Sequence, residues 1–287
     1  MRDLLALAWL ASASQFLVRK TSFSERHRVL FVAGLEGTGH HMWPYVLKAS
    51  CPEGLCAADA EVSLALFSAG KVPNGHSWEL ESSVFAVDVG DAARRRAGVA
   101  TVVAGLRAAA LEPRHSLLAL NAVGGGGGQC VNASCSGMMS YPNFQGPGRP
   151  LHYPDVYRLA RWAEEAGADL RVVVMTRNAL DTLASTTVHR SFASWEQQSV
   201  ILTNAVAALK QQLDLVDPRF YACAPFEGFE LSPRLAAFVH PSLVGGKFTS
   251  RDSRVRRPGD NSTEQHEATE RLAAALSTLD AACASTA

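Results

Sequence analysis

The chain has 287 residues, 47% of them hydrophobic, enough to bury one substantial α/β core. Its 27 basic and 27 acidic residues cancel. That balance argues against a nucleic-acid partner, which normally leaves a strong basic excess.

Residues 4–18 are apolar except for Ser12, Ser14 and Gln15. As a helix this stretch rises only ~22 Å, short of a hydrocarbon core of roughly 30 Å. It fits the apolar region of a secretory signal, with Ala11-Ser12-Ala13 as a cleavage-type sequence, or a short N-terminal membrane anchor. The expected organisation is therefore a leader over 1–20, a polar connector over 21–27 and a folded domain over 28–287. Asn132-Ala-Ser and Asn261-Ser-Thr are glycosylation acceptors in keeping with a lumenal address in the secretory pathway. Six cysteines include two close pairs, Cys51/Cys56 and Cys130/Cys135, each able to close a small disulfide loop. Cys223 and Cys283 stand far off in sequence, and the spacing of the close pairs does not suit zinc.

Arg28 to Ala33 is a short apolar run ending in glycines, which predicts a buried parallel strand entering a turn, with a helix from His40 to Ser50. A strand is predicted over Ser83 to Asp88, a helix over Ala92 to Leu111 and a strand over Ser116 to Asn121. Residues 124–154 are rich in Gly, Pro, Ser and Asn and read as a surface excursion. Asp155 is placed to cap a helix over Val156 to Ala166, with Gly167 as its stop. Arg171 to Thr176 is the clearest strand. Helices are then expected to about Arg190 and from Trp195 to about Leu215, followed by a strand over Arg219 to Ala224 and a helix over Ser232 to Val239. A basic loop covers Lys247 to Arg257, and a last helix starts at Thr263. Strands alternating with helices of this length predict a doubly wound, mainly parallel sheet that carries its ligand at the strands' carboxyl ends.

Two segments carry chemistry. Gly34-Leu-Glu-Gly-Thr-Gly-His-His41 leaves a strand and enters a helix, where backbone N–H groups and the helix dipole favour an anion. It follows the spacing of a phosphate loop, but His40 and His41 stand where a nucleoside-triphosphate loop has its Lys and its magnesium-binding hydroxyl. Thr176-Arg-Asn-Ala-Leu-Asp-Thr-Leu-Ala-Ser185 starts at the end of the clearest strand. Arg177 there suits bidentate pairing with a phosphate, and Ser185 lies a little over two helical turns further on.

This second segment resembles the 3′-phosphate-binding sequence R-N-P-x-D-x-x-x-S of P-loop sulfotransferases, matching at Arg177, Asn178, Asp181 and Ser185, with Ala179 in place of Pro. Phe226-Glu-Gly-Phe229 is similar to a later Y-E-D-L segment of that family, and Gly245 to Arg251 stands where the family has a basic, Gly-containing loop. The resemblance implies a P-loop fold and transfer of a sulfuryl group from 3′-phosphoadenosine 5′-phosphosulfate (PAPS) to an acceptor hydroxyl or amine, without a metal. A Golgi lumen or membrane setting and a glycan or other hydroxyl compound as acceptor go with it. It implies a cofactor site made of Gly34, Gly37, Thr38, Gly39, Arg177, Ser185, Lys247 and Arg251. His41, His40 and Glu36 are the candidates for the base that accepts the acceptor's proton. The family's first loop reads like P-K-S-G-T or R-K-G-G-T; Leu35 and Glu36 stand here at the position of its cation and that cation's neighbour. Two other readings stay open: a P-loop kinase or NTPase using Asp88 as metal carboxylate, and a sulfotransferase-like binding protein without turnover.

Overall fold

The computed structural model describes residues 27–35, 37–39, 42–58, 92–111, 117–120, 122–123, 137–138, 156–190, 194–248 and 262–284. The apolar runs form strands β1 (Arg28–Gly34), β2 (Cys56–Ala58) and β3 (Leu117–Ala119), with helices α1 (Trp43–Ser50) and α2 (Ala92–Leu111) between them. A two-residue pair follows, β4 (Ala122–Val123) antiparallel to β5 (Gly137–Met138). Next come α3 (Val156–Ala166), β6 (Asp169–Thr176), α4 (Ala179–Arg190), α5 (Trp195–Asp214) and β7 (Tyr221–Pro225). A small hairpin of β8 (Glu230–Leu231) and β9 (Gly246–Lys247) encloses α6 (Pro233–Val239), and α7 (Thr263–Ala284) is the last element. The strand expected over Ser83 to Asp88, the excursion over 124–136 and 139–154, and the cap Asp155 lie outside the described residues.

The main sheet has the order β2-β3-β1-β6-β7, and every pairing in it is parallel. The fold is thus α/β with a parallel sheet flanked by helices, the class the alternating pattern predicts. β1 and β6 lie side by side in register from Arg28↔Asp169 to Gly34↔Met175. The chain leaving β1 turns towards β2 and β3, whereas the chain leaving β6 turns towards β7. Connections parting in opposite directions from two central strands open a crevice at their carboxyl ends, where α/β sheets take their ligands.

Period-two alternation explains why the strands need apolar residues on both faces. Val29, Phe31 and Ala33 point to one layer with Leu170, Val172 and Val174, against α2, α3, α4, α5 and α7. Leu30 and Val32 point to the other with Val173 and Met175, against α1 and α6. On the first face α5 and α7 pack through Leu202, Val206, Leu209 and Leu213 against Leu272, Leu276 and Leu279. Ser194, Ser232 and Ser262 each accept a hydrogen bond from a backbone N–H three residues on, capping α5, α6 and α7.

Some boundaries differ from expectation. α1 starts at Trp43 rather than His40, because the Met42 N–H bonds back to Gly39 O (2.9 Å) as a turn and Pro44 then fixes the first helical turn. β7 starts at Tyr221 rather than Arg219, because Pro218–Phe220 form a short 3₁₀ turn first, capped by Asp217. Gly167 stops α3 as expected, at φ 78°.

Cys51 and Cys56 are disulfide-bonded, as their spacing suggests, with Cα atoms 6.0 Å apart. Cys130 and Cys135 lie outside the described residues. Cys223 and Cys283, which sequence distance had set apart, form a second disulfide between β7 and the last turn of α7 (Cα–Cα 5.6 Å). Two disulfides are a mark of an oxidising, non-cytosolic compartment. Among the described residues no helix is long and apolar enough to cross a membrane.

Candidate functional site

Three sequence-distant segments meet at the carboxyl ends of β1, β6 and β7. The first is the glycine loop after β1. Thr38 N–H and its hydroxyl both donate to Leu35 O, at 3.1 and 2.7 Å, closing a turn around a fully buried Thr38. Gly37 and Gly39 hold φ of 87° and 91°, a region that disfavours any Cβ. At Gly37 a Cβ would also stand 2.9 Å from Thr182 O and 3.2 Å from Ser185 Cβ. The loop is therefore pressed against the first turns of α4, and Gly34, paired with Met175, delivers it there.

The second segment is the β6–α4 junction. Arg177 is buried at 9% exposure, and its Nη1 donates to Gly37 O (2.8 Å). Asn178 is the N-cap of α4: its Oδ1 accepts from Asp181 N–H (2.8 Å) and its Nδ2 donates to Asp181 Oδ2 (2.7 Å). The Asn-x-x-Asp spacing is thereby a reciprocal helix cap. Two of the four positions matching the sulfotransferase sequence thus shape the backbone, while Arg177 and Ser185 border the loop.

The third segment follows β7. Phe226 N–H donates to Thr176 O (2.8 Å), extending the β6–β7 ladder, and its ring lies under the Arg177 guanidinium, 4.4 Å from Cζ to centroid. Glu227 Oε1 accepts from Asn178 N–H (3.0 Å) and from Asn178 Nδ2 (2.6 Å). Asn178 thus engages the carboxylates of both Asp181 and Glu227 at the start of α4. Phe226 also fills the space where a Gly39 Cβ would be. Sequence reading marks Phe226 to Phe229 as a segment but misses these two roles, since neither a stacking ring nor a second-cap carboxylate leaves a periodic signal.

The fold places the other candidates as follows. Lys247 is exposed on β9, in register with Glu230. Its neighbour Phe248 packs on Phe229 (6.2 Å), which in turn meets Trp43 edge-on (5.7 Å). Trp43 Nε1 donates to Met175 Sδ (3.0 Å) behind the loop. Glu36, His40, His41 and Arg251 lie outside the described residues. Leu35, at the position of the family's loop cation, is a core residue at 1% exposure.

The arrangement joins positive-φ glycines, a buried guanidinium stacked on an aromatic ring and a partly buried hydroxyl at a sheet's ligand-binding end. A phosphate or sulfate group suits such donors, because Arg supplies several N–H donors in a fixed fork that matches its oxygens. Among the described residues no group of three or more His, Cys, Asp or Glu is placed to hold a metal ion. Comparison of the chain with family models, with curated proteins and with solved structures finds no match.

Proposed function

We propose that the chain is a PAPS-dependent sulfotransferase of the secretory pathway, acting in the Golgi lumen on a hydroxyl or amine of a glycan or similar acceptor. The observation that carries this reading is the contact of Gly37 with both Arg177 and the Ser185 turn of α4. The two segments resembling the family's 5′- and 3′-phosphate-binding sequences thereby lie against each other at the crevice. In this reading Arg177 and Ser185 take the 3′-phosphate, and the backbone of Gly37 to Gly39 faces the 5′-phosphosulfate. Thr38 shapes the loop with its own donors, and Asn178, Asp181 and Glu227 fix the start of α4. Lys247 and Arg251 are the candidates for closing the site from the basic loop. The co-substrate supplies the activated sulfuryl group. The protein's part is alignment, charge stabilisation and a base for the acceptor's proton, for which His41, His40 and Glu36 are the candidates. The disulfides Cys51–Cys56 and Cys223–Cys283 support the lumenal setting.

Buried Leu35 favours one second reading, a binding protein that keeps the nucleotide site without turnover, because an apolar core residue stands at the position of the family's loop cation. The desulfated product, 3′-phosphoadenosine 5′-phosphate (PAP), should stabilise the purified protein without metal. At 100-fold above Kd the gain is about 2.7 kcal/mol, read as a thermal shift. Stabilisation by Mg–ATP and not by PAP would replace the sulfotransferase reading with the kinase one. Release of PAP from bound PAPS in the presence of a mixed glycan acceptor separates the enzyme from the binding protein.

A further inference from the structure

A cavity of about 300 Å³ lies away from the crevice, between the outer edge of β7, the 3₁₀ turn and α6. Arg219, Tyr221, Arg234 and Phe238 line it, and so do both half-cystines of the second disulfide, Cys223 and Cys283. Among the described residues no Asp or Glu lines it. Asp217 pairs with Arg219 (3.4 Å) from outside the lining, and Asp280 stands one helical turn before Cys283. In Cys51–Cys56, Cys56 is buried at 8% exposure against the core of the α1 face while Cys51 is partly buried, as Cys223 and Cys283 are; the difference lies in the two guanidiniums beside Cys223–Cys283.

We propose that Cys223–Cys283 is an exchange site for small anionic thiols, which enter the Arg219–Arg234 cavity and open the cross-link between β7 and α7. Exchange needs access of a thiolate to a disulfide sulfur and a leaving thiolate that is stabilised where it forms. The cavity provides the access. Its two guanidiniums attract an anionic thiol and stabilise a departing thiolate. The incoming thiolate, its proton already lost to solvent, bonds to Cys283 Sγ; the Sγ–Sγ bond breaks and its electron pair leaves on Cys223 as thiolate. A second thiolate attacks the small-molecule sulfur of the mixed disulfide, releasing Cys283 as thiolate. Two thiols are thus oxidised to their own disulfide as the protein disulfide is reduced.

The fold survives this opening. The buried contacts of α7 are made by Ala268, Leu272, Leu276 and Leu279, all ahead of Cys283, so only the tether of the last turn to the sheet's edge strand is released.

The test uses the folded full chain with its disulfides intact and two thiols of similar size, mercaptopropionate and cysteamine. Each is supplied at equal thiolate concentration and normalised to its rate with an uncharged model disulfide. Acid quenching, alkylation and peptide mass spectrometry then locate the mixed disulfide. The expected result is modification at Cys223 or Cys283 before Cys51 or Cys56. Mercaptopropionate should react about tenfold faster than cysteamine at low ionic strength, a preference lost in high salt. Arg219→Gln and Arg234→Gln should each reduce that preference while circular dichroism stays unchanged. Arg234, exposed on α6, carries the test alone should the Arg219 variant misfold. Opening of Cys51–Cys56 first, equal normalised rates for the two thiols, or a preference that survives Arg234→Gln overturns the proposal.

Discussion

Arg177 Nη1 donates to the carbonyl of Gly37 at 2.8 Å, joining two loops that are 140 residues apart in sequence. The bond crosses from the end of β6 to the end of β1, the adjacent central strands. It explains why the glycine loop needs residues without Cβ: the loop must lie close enough to α4 to be reached by a short, buried guanidinium contact. Phe226 completes the corner from the β7 side, so each of the three segments is braced by another.

Gly37 and Gly39 should respond differently to alanine. At Gly37 the new Cβ meets a backbone atom, Thr182 O at 2.9 Å, on top of a positive φ, and neither can yield cheaply. Gly37→Ala should destabilise by about 2–4 kcal/mol in urea denaturation. At Gly39 the Cβ meets the ring of Phe226, which can be removed. In a double-mutant cycle, Phe226→Ala should relieve about 1–2 kcal/mol of the Gly39→Ala cost and none of the Gly37→Ala cost. Equal rescue at both glycines would mean the ring does not lie over Gly39.

The strands β1 and β6 are legible because both of their faces are buried, which writes a continuous apolar run. The start of α4 is legible because Asn178 and Asp181 carry the three-residue spacing of a cap. What sequence cannot convey is neighbourhood. No local pattern says that β1 lies between β3 and β6, and hence that Arg177 reaches Gly37. The pairing of Cys223 with Cys283 depends on α7 returning across α5 to the edge strand, a tertiary result without local signature. Trp43 rather than His40 begins α1 because a turn hydrogen bond from Met42 to Gly39 takes precedence over helix propensity.

The opposite end of the sheet predicts an acid sensitivity. His240 is buried and its Nδ1 accepts from Ser242 N–H (3.1 Å), while Arg28 donates to Ala237 O and Phe238 O just before it. Burial, then the charge of Arg28, then His27, lowers its pKa from 6.5 to about 4. The unfolded chain therefore binds the proton more readily than the folded one between about pH 6.5 and 4, and stability falls as pH drops through that window. With solvent screening the loss should be about 1–2 kcal/mol. His240→Asn keeps an acceptor for Ser242 and cannot titrate. Denaturation at pH 7 and pH 4.5 should show the wild type losing more than the variant by that amount; parallel losses would place the acid sensitivity elsewhere.

The two disulfides among the described residues should differ in their contribution to stability. Cys223–Cys283 closes 60 residues and Cys51–Cys56 closes 5. In the chain-entropy description these cross-links restrict the unfolded chain by about 4 and about 2 kcal/mol. Replacing Cys223 and Cys283 by Ser should lower the denaturation midpoint by more than replacing Cys51 and Cys56. The reverse order would show that native contacts of α7 already restrict the unfolded chain there. A stable cross-link and a reactive one are compatible, because stability concerns the ends of the reaction and reactivity concerns access to sulfur.

The nucleotide assignment rests on Arg177 and Ser185, and the structure sharpens how to test it. Loss of a charge-assisted hydrogen bond removes roughly 1.5–3 kcal/mol, so Arg177→Ala should weaken PAP binding by about tenfold to over a hundredfold. Arg177 also holds Gly37, however, so some loss will come through the loop and affect any nucleotide bound there. Adenosine 5′-phosphosulfate separates the two effects, because it lacks the 3′-phosphate but meets the same loop. PAP affinity should fall at least about tenfold further than that of adenosine 5′-phosphosulfate. Ser185→Ala, which removes one neutral donor and leaves the Arg177–Gly37 bond in place, should weaken PAP by about 0.5–2 kcal/mol and adenosine 5′-phosphosulfate hardly at all. Calorimetric titration of both ligands against the three proteins, with folding checked by denaturation, gives the comparison. Equal losses for the two ligands in Arg177→Ala would reduce Arg177 to a brace for the glycine loop, and the 3′-phosphate would have to be held by other residues.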